Sequence, residues 1–324
     1  MKVFHFSIFL VFTLYLNGQD FLPKSQGQVI NHNHYTVSYN ELHEQANWVH
    51  YKLNPYMLSG TTKRIDNFRT DPNVTSESAS PYDYKGSGYD RGHLAPAGDM
   101  KINFTSMSES FFMSNISPQN PSFNRGGWKR LESLVRAWAK KNEVFITTAG
   151  VLNNNYFKKI GFNSVSVPRE FYKLIYMPSE NKMIAFLMPN QKINGQLKDY
   201  VVSVDKVEEL TGIDFYSELD DVLEKKLEAE INPGKWNFNL TFQSKTYSSS
   251  VSSQCKGMAK STGNRCRNNT TNSNGYCYLH KDQSPDYKKP QSSNYVGRCN
   301  ATTKKGTICK RNATTGFRFC WQHK

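Results

Sequence analysis

The sequence predicts an α+β body with a mixed or antiparallel sheet, followed by two small cysteine-and-histidine modules. Three observations predict it. Strand-like and helix-like segments intermingle without a regular strand–helix–strand rhythm. All six cysteines lie beyond residue 254. The net charge is +14 over 324 residues, and +13 of it falls in residues 244–324, where 15 lysines and arginines face only Asp282 and Asp286. The preceding residues hold 26 basic and 25 acidic side chains, so a near-neutral body carries a basic tail. Such a tail suits an anionic polymer such as nucleic acid, with a merely solubilising tail as the alternative. Apolar residues make up 37% of the chain and aromatic residues 13%, enough for a core, which excludes full disorder and a multi-span membrane protein.

At the N-terminus, Met1-Lys2 precedes an apolar run from Val3 to Leu16, interrupted by Ser7 and Thr13 and followed by Asn17-Gly18-Gln19. This pattern predicts a signal peptide over 1–19. The run is shorter than the ~20 residues that span a bilayer. The mature protein is therefore expected to be secreted or periplasmic and free of the membrane, with an uncleaved anchor as the alternative. Residues 20–34 read as a polar lead-in and 35–243 as the main body. Within it Glu143–Thr148, Phe171–Met177 and Met183–Met188 are rich in β-branched and aromatic residues and predict strands. Trp128, Leu131, Leu134, Val135 and Trp138 recur at helical spacing, which predicts a helix over 128–141. A second helix is expected over 222–231, stopped by Pro233-Gly234.

Residues 244–254 are a linker by their serine content. A repeat follows. Module 1 (255–280) holds Cys255, Cys266, Cys277 and His280; after a second linker (281–298), module 2 (299–324) holds Cys299, Cys309, Cys320 and His323. Three thiolates and one imidazole are a common tetrahedral zinc set, and a module this small needs a staple. Disulfides are the rival, since an exported chain permits them. They would leave an odd thiol in each module and give the repeated histidine no role. Each module is also basic and aromatic, with Lys256, Lys260, Arg265, Arg267, Tyr276 and Tyr278 in the first and Arg298, Lys304, Lys305, Lys310, Arg311, Phe317, Phe319 and Trp321 in the second. Cations beside flat rings suit nucleic acid, and an anionic surface polymer is the other candidate.

The chemistry concentrates in two blocks. The first is Tyr89-Asp90-Arg91-Gly92-His93-Leu94-Ala95-Pro96. The second runs from Met113-Ser114-Asn115-Ile116-Ser117-Pro118-Gln119 to Asn124, Trp128, Leu131 and Glu132. A lone histidine is ordinarily a satisfied core residue. Here Arg91, Gly92 and a helix bearing Asn and Glu accompany His93, which makes it a candidate general base. Asn124, Trp128 and Glu132 are expected on one broad helix face, with Asn124 and Glu132 about 12 Å apart along the axis. Only one of the two can ligate a given ion directly, the other acting through water. A neutral amide oxygen with waters suits Mg²⁺ rather than zinc. A base, an arginine and a hydrated hard cation together suit phosphodiester hydrolysis.

On these blocks the sequence resembles the DNA/RNA non-specific endonuclease family, of the ββα-metal (His-Me finger) superfamily. The likeness takes in Trp48–Leu53 and Phe68–Pro72 and covers about residues 35–240. It implies a ββα-metal core, cleavage of DNA and RNA to 5′-phosphates, and Mg²⁺ or Mn²⁺ as cofactor. It further implies His93 as general base, Asn124 as direct metal ligand, Glu132 as support for a metal-bound water, Asn115 as an orienting residue and Arg91 as a phosphate or substrate contact. The family's upstream transition-state arginine falls on Arg64, with Arg69 as the weaker match. The resemblance leaves a homodimer open, and the cysteine modules lie outside it. A degenerate fold that binds nucleic acid or a surface polymer without turnover, or one that cuts another phosphodiester, is the competing reading.

Overall fold

A seven-stranded sheet, antiparallel at every pairing, runs through the large body. The computed structural model describes residues 21–24, 27–152, 157–242, 253–259, 262–270, 274–285 and 309–311. The strands in chain order are β1 (Gln28–Asn31), β2 (Thr36–Asn40), β3 (Gln45–Leu53), β4 (Asp90–His93), β5 (Ile116–Gln119), β6 (Val144–Gly150), β7 (Lys159–Ile160), β8 (Val165–Ser166), β9 (Glu170–Met177), β10 (Lys182–Pro189) and β11 (Val201–Val202). The sheet order is β1-β2-β3-β6-β9-β10-β11, and β4/β5 and β7/β8 form separate two-stranded ribbons. Every residue of β6 is buried, as is all of β9 after Glu170. Central strands covered on both faces read as continuous apolar runs, which is why the three predicted strands were legible.

The helices are α1 (Pro55–Leu58), α2 (Phe104–Glu109), α3 (Lys129–Ala139), α4 (Val204–Thr211) and α5 (Asp221–Glu228). Asn54, Asn103, Ser203 and Asp220 cap the N-termini of α1, α2, α4 and α5 with side-chain oxygens, satisfying donors that a helix start otherwise leaves unpaired. The buried stripe of α3, Leu131, Leu134, Val135 and Trp138, lies on the sheet, with Trp138 stacked near Phe186 of β10 at 6.4 Å. Among the described residues no helix is long and apolar enough to cross a membrane.

The polar lead-in contributes β1, which pairs with β2, and Phe21, which packs edge-on against Phe145 and Tyr176. A four-residue edge strand carries too weak a hydropathy pattern to be seen. The helix expectations need correction. The second helix ends at Glu228, short of Ile231, and its N-cap Asp220 starts it one residue early. The helix expected over 128–141 is α3 preceded by a π-turn at Phe123–Trp128, in which Gly126 takes φ −106°, ψ −105°. That turn breaks the 3.6-residue period ahead of Trp128, so Asn124 does not share a face with Trp128 and Glu132 as a straight helix requires. Trp128 is fully buried, whereas Asn124 is partly exposed.

Residues 243–324 form a second compact unit. In it β12 (Ser253–Gln254) pairs with β13 (Asn269–Thr270), so the linker expected over 244–254 gives way to strand at Ser253. The signal-peptide segment 1–19, the rest of that linker, and Cys299, Cys320 and His323 lie outside the described residues.

Candidate active site

The ribbon β4/β5 and the π-turn into α3 present the predicted chemistry. Asp90, Arg91, Gly92 and His93 pair with Gln119, Pro118, Ser117 and Ile116. Gly92 leaves room for Gln119: a Cβ there would sit 2.3 Å from the Gln119 side chain, which would have to shift. Beyond the strand, Asn115 is fully buried and holds the chain that leaves His93. Its Nδ2 donates to the carbonyls of Ala95 and Ser110, and its Oδ1 accepts from the Ala95 N–H at 2.8 Å. Asn115 thus braces the backbone just after His93 from inside the fold, away from solvent.

His93 sits edge-on to Phe111 at 4.9 Å and tilted against Phe68 at 5.4 Å. Its Nε2 is buried with no hydrogen-bond partner among the described residues. Burial, then the charges of Arg64 and Arg91, push its pKa down to about 3, so the ring is neutral with a lone pair available. The two arginines cover the same rings. Arg64 lies over Phe111 at 4.9 Å and Arg91 over Phe68 at 4.4 Å. Arg69 is engaged elsewhere: it stacks on Phe112 at 4.0 Å and donates to Asn67 O, Ser108 O and Ser108 Oγ. Of the two upstream arginines, the structure brings Arg64 to the His93 rings and commits Arg69 to the end of α2.

Asn124 is oriented by a residue to which the sequence assigned no role. Its Nδ2 donates to Asp90 Oδ2 at 2.9 Å, and Arg125 grips both oxygens of the same carboxylate at 2.8 and 2.6 Å. Burial raises the Asp90 pKa, but the bonds from Arg125 and Asn124 outweigh it and the net shift is downward. With its nitrogen so committed, Asn124 turns Oδ1 away from Asp90, and no described residue donates to that oxygen. Asp90, Arg91, Asn124 and Phe68 together line a cleft of about 450 Å³, with the exposed Tyr82 at its rim. Phe68 joins this cleft to the His93 ring.

Glu132 lies deeper, in a charged cluster. Its carboxylate is 3.9 Å from Arg136, which pairs with buried Asp99 at 2.7 Å; Tyr51 donates to Asp99. Burial pushes Glu132 up to about 7, against the pull of Arg136 and Lys173. Lys173 is fully buried on β9 with its Nζ 4.7 Å from the Trp128 ring centre, and burial pushes it down to about 8. Its signal in the sequence was a single charge inside Phe171–Met177, an otherwise apolar run.

A wider groove of about 830 Å³ runs beside the π-turn. Arg125, Lys129, Arg130 and Lys198 line it together with Phe238 and Phe242, and no acid does.

In the second unit Cys255, Cys266, Cys277 and His280 are all buried, with their ligand atoms within 4.8 Å of one another. Cys255 Sγ and Cys277 Sγ lie 3.7 and 3.4 Å from His280 Nδ1, and Cys266 Sγ lies 3.9 Å from Cys277 Sγ. These thiols are not disulfide-bonded. Arg265 donates to the carbonyls of Cys255 and Gln254, so it braces the module. Of module 2, only Cys309 among the expected ligands is described, and it is buried.

The large body is similar to known proteins. The profile of the DNA/RNA non-specific endonuclease family matches residues 16–222, well over half of the chain. The chain belongs to that family. As a member of the DNA/RNA non-specific endonucleases it is a nuclease that hydrolyses phosphodiester bonds. It is 33% identical over 214 residues to a nuclease of Nostoc sp., covering 62% of this chain and 77% of the relative. It is 34% identical over 217 residues to nuclease C1 of Cunninghamella echinulata, covering 61% of this chain and 86% of the relative. Among solved structures, EndoG from its complex with EndoGI superposes with a TM-score of 0.56 at 28% identity, over 60% of this chain and 88% of that one. Residues 252–292 match a domain of unknown function (DUF5763).

Proposed function

We propose that this nuclease is an exported, Mg²⁺-dependent endonuclease (Mn²⁺ serving in its place) that cuts both DNA and RNA and leaves 5′-phosphates. The observation that carries the proposal is the Asn124 amide, fixed by Asp90 so that its oxygen is free in a cleft shared with Arg91. A free amide oxygen suits a hard cation, with Asn124 holding it directly and Glu132 through water. Bound there, the ion supplies positive charge for the non-bridging and leaving oxygens of the phosphate.

The protein's own groups do the rest. Neutral His93 takes a proton from the attacking water on its solvent-facing side, the buried Nε2 side being packed against Phe68 and Phe111. Arg64 and Arg91 sit over the rings that enclose His93, where they receive charge developing on phosphorus oxygens. An arriving phosphate also offsets the two cations that depress His93, raising its basicity when it is needed. Phosphate-directed contacts carry no direct sequence information, which fits action on either nucleic acid. The acid-free groove beside the π-turn supports a polyanionic substrate.

For the tail, zinc supports the geometry better than disulfides do. A tetrahedral ion with Zn–S of about 2.3 Å and Zn–N of about 2.0 Å sets ligand-to-ligand edges of about 3.5–3.8 Å, close to the separations in module 1. We read both modules as zinc-stapled and as nucleic-acid tethers that raise local substrate concentration. The test is incubation of the purified mature protein with plasmid DNA and with RNA, with Mg²⁺ or with EDTA. Cleavage of both polymers, abolished by EDTA, is expected. Tight binding without turnover under any divalent ion would overturn the reading.

A further inference from the structure

We propose that Asp205 and Glu208 of α4 and Glu228 at the end of α5 form a binding site for a calcium-sized divalent cation. The site shares no residue with the nuclease centre and does not rest on the nuclease mechanism. Asp205 and Glu208 are three residues apart and so share a helix face. The carboxylate oxygens of all three residues lie within 4.8 Å of one another.

The second observation concerns Glu228 itself. It is only 6% exposed, and its Oε1 is buried with no hydrogen-bond partner. A buried carboxylate without a partner is costly unless something neutralises it. Among the described residues no cation pairs with any of the three acids. Lys24 is bound to Asp214, and Lys206 to Glu209. Asp214 and Glu224 add negative charge, acting on both Glu208 and Glu228, while Lys24 reaches Glu208 only at longer range than its pairing with Asp214. One Glu208 oxygen accepts from the Phe215 N–H at 2.8 Å, which holds that carboxylate in place.

The choice of ion follows from donor type. An all-carboxylate set selects a hard cation. Three protein carboxylates suit Ca²⁺ better than Mg²⁺, which dehydrates reluctantly and is usually held by one or two carboxylates.

The test is thermal unfolding of the full chain, titrated with calcium chloride, in wild type, Glu228→Gln, Asp205→Asn and Asn124→Ala. Calcium at a hundred times its Kd should raise the wild-type Tm by about 5–10 °C. Asn124→Ala should keep that shift, and Glu228→Gln and Asp205→Asn should lose it. Asp205 is exposed, so its variant keeps the test decisive if Glu228→Gln does not fold. An unchanged wild-type Tm would overturn the proposal, leaving a shared proton as the neutralising species. So would a full shift in both acid variants, or loss of the shift in Asn124→Ala, which would assign the ion to the nuclease centre.

Discussion

Asn124 donates through Nδ2 to Asp90 Oδ2 at 2.9 Å, and this contact decides which atom of the amide is offered to the cleft. Replacing Asp90 by Asn removes the charge that holds both Asn124 and Arg125. Partners that orient a metal ligand typically contribute 10–100-fold to affinity or activity. Asp90→Asn should therefore lose about that factor in turnover and need more Mg²⁺ for half-maximal rate. A Mg²⁺ titration of cleavage rate checks this; an unchanged midpoint would separate Asp90 from the metal.

The two upstream arginines should fail in different ways. Arg64 is half exposed, with one short-range partner in Asp66. Arg64→Ala should leave the Tm within a degree or two and cut turnover by roughly 10²–10³, as for loss of one transition-state donor. Arg69 makes three hydrogen bonds and a ring stack. Arg69→Ala should mainly destabilise, by about 1–3 kcal/mol. Urea unfolding beside steady-state cleavage on both variants separates the two outcomes.

Acid should destabilise the large body through buried histidines. His50 is fully enclosed in β3, bonded to Thr147 Oγ1, and burial pushes its pKa down to about 3. In the unfolded chain it titrates near 6.5. A depressed folded pKa means that the unfolded state binds the proton first. The stabilisation is thus complete above about pH 6.5 and lost as pH falls toward 3. His50→Gln should flatten this limb by about 1.4 kcal/mol per pH unit. Urea midpoints measured between those pH values test the slope.

In the tail, elemental analysis should find two zinc atoms per chain, falling to one in Cys255→Ser. Deleting 244–324 should leave a folded, active body whose affinity for DNA depends less steeply on salt, since fewer phosphate-neutralising cations remain. An unchanged salt slope would point the tail at another target.

What the sequence disclosed, and what it hid, follows from the range of each interaction. The strands around Phe145, Leu174 and Phe186 were legible because burial on both faces leaves an unbroken apolar run. His93 and Asn124 were legible because their neighbours in the chain form a compact pattern. Asp90 stood in plain view within that pattern, yet its partner is 34 residues away, across the ribbon. Asn124 was expected on the Glu132 face because the periodicity of Leu131, Leu134 and Trp138 gives no sign of a π-turn just ahead of it. The cluster of Glu132, Arg136, Asp99 and Lys173 is assembled from α3, a loop and β9, and no local pattern announces it.

The account stands most directly on the role of His93. The decisive measurement is the rate of Mg²⁺-dependent plasmid cleavage by wild type and His93→Ala at equal concentration, with circular dichroism confirming the fold of both. The variant should be slower by at least about 10²-fold, the low end of what a positioned general base contributes. A variant that folds and cleaves at the wild-type rate would contradict it.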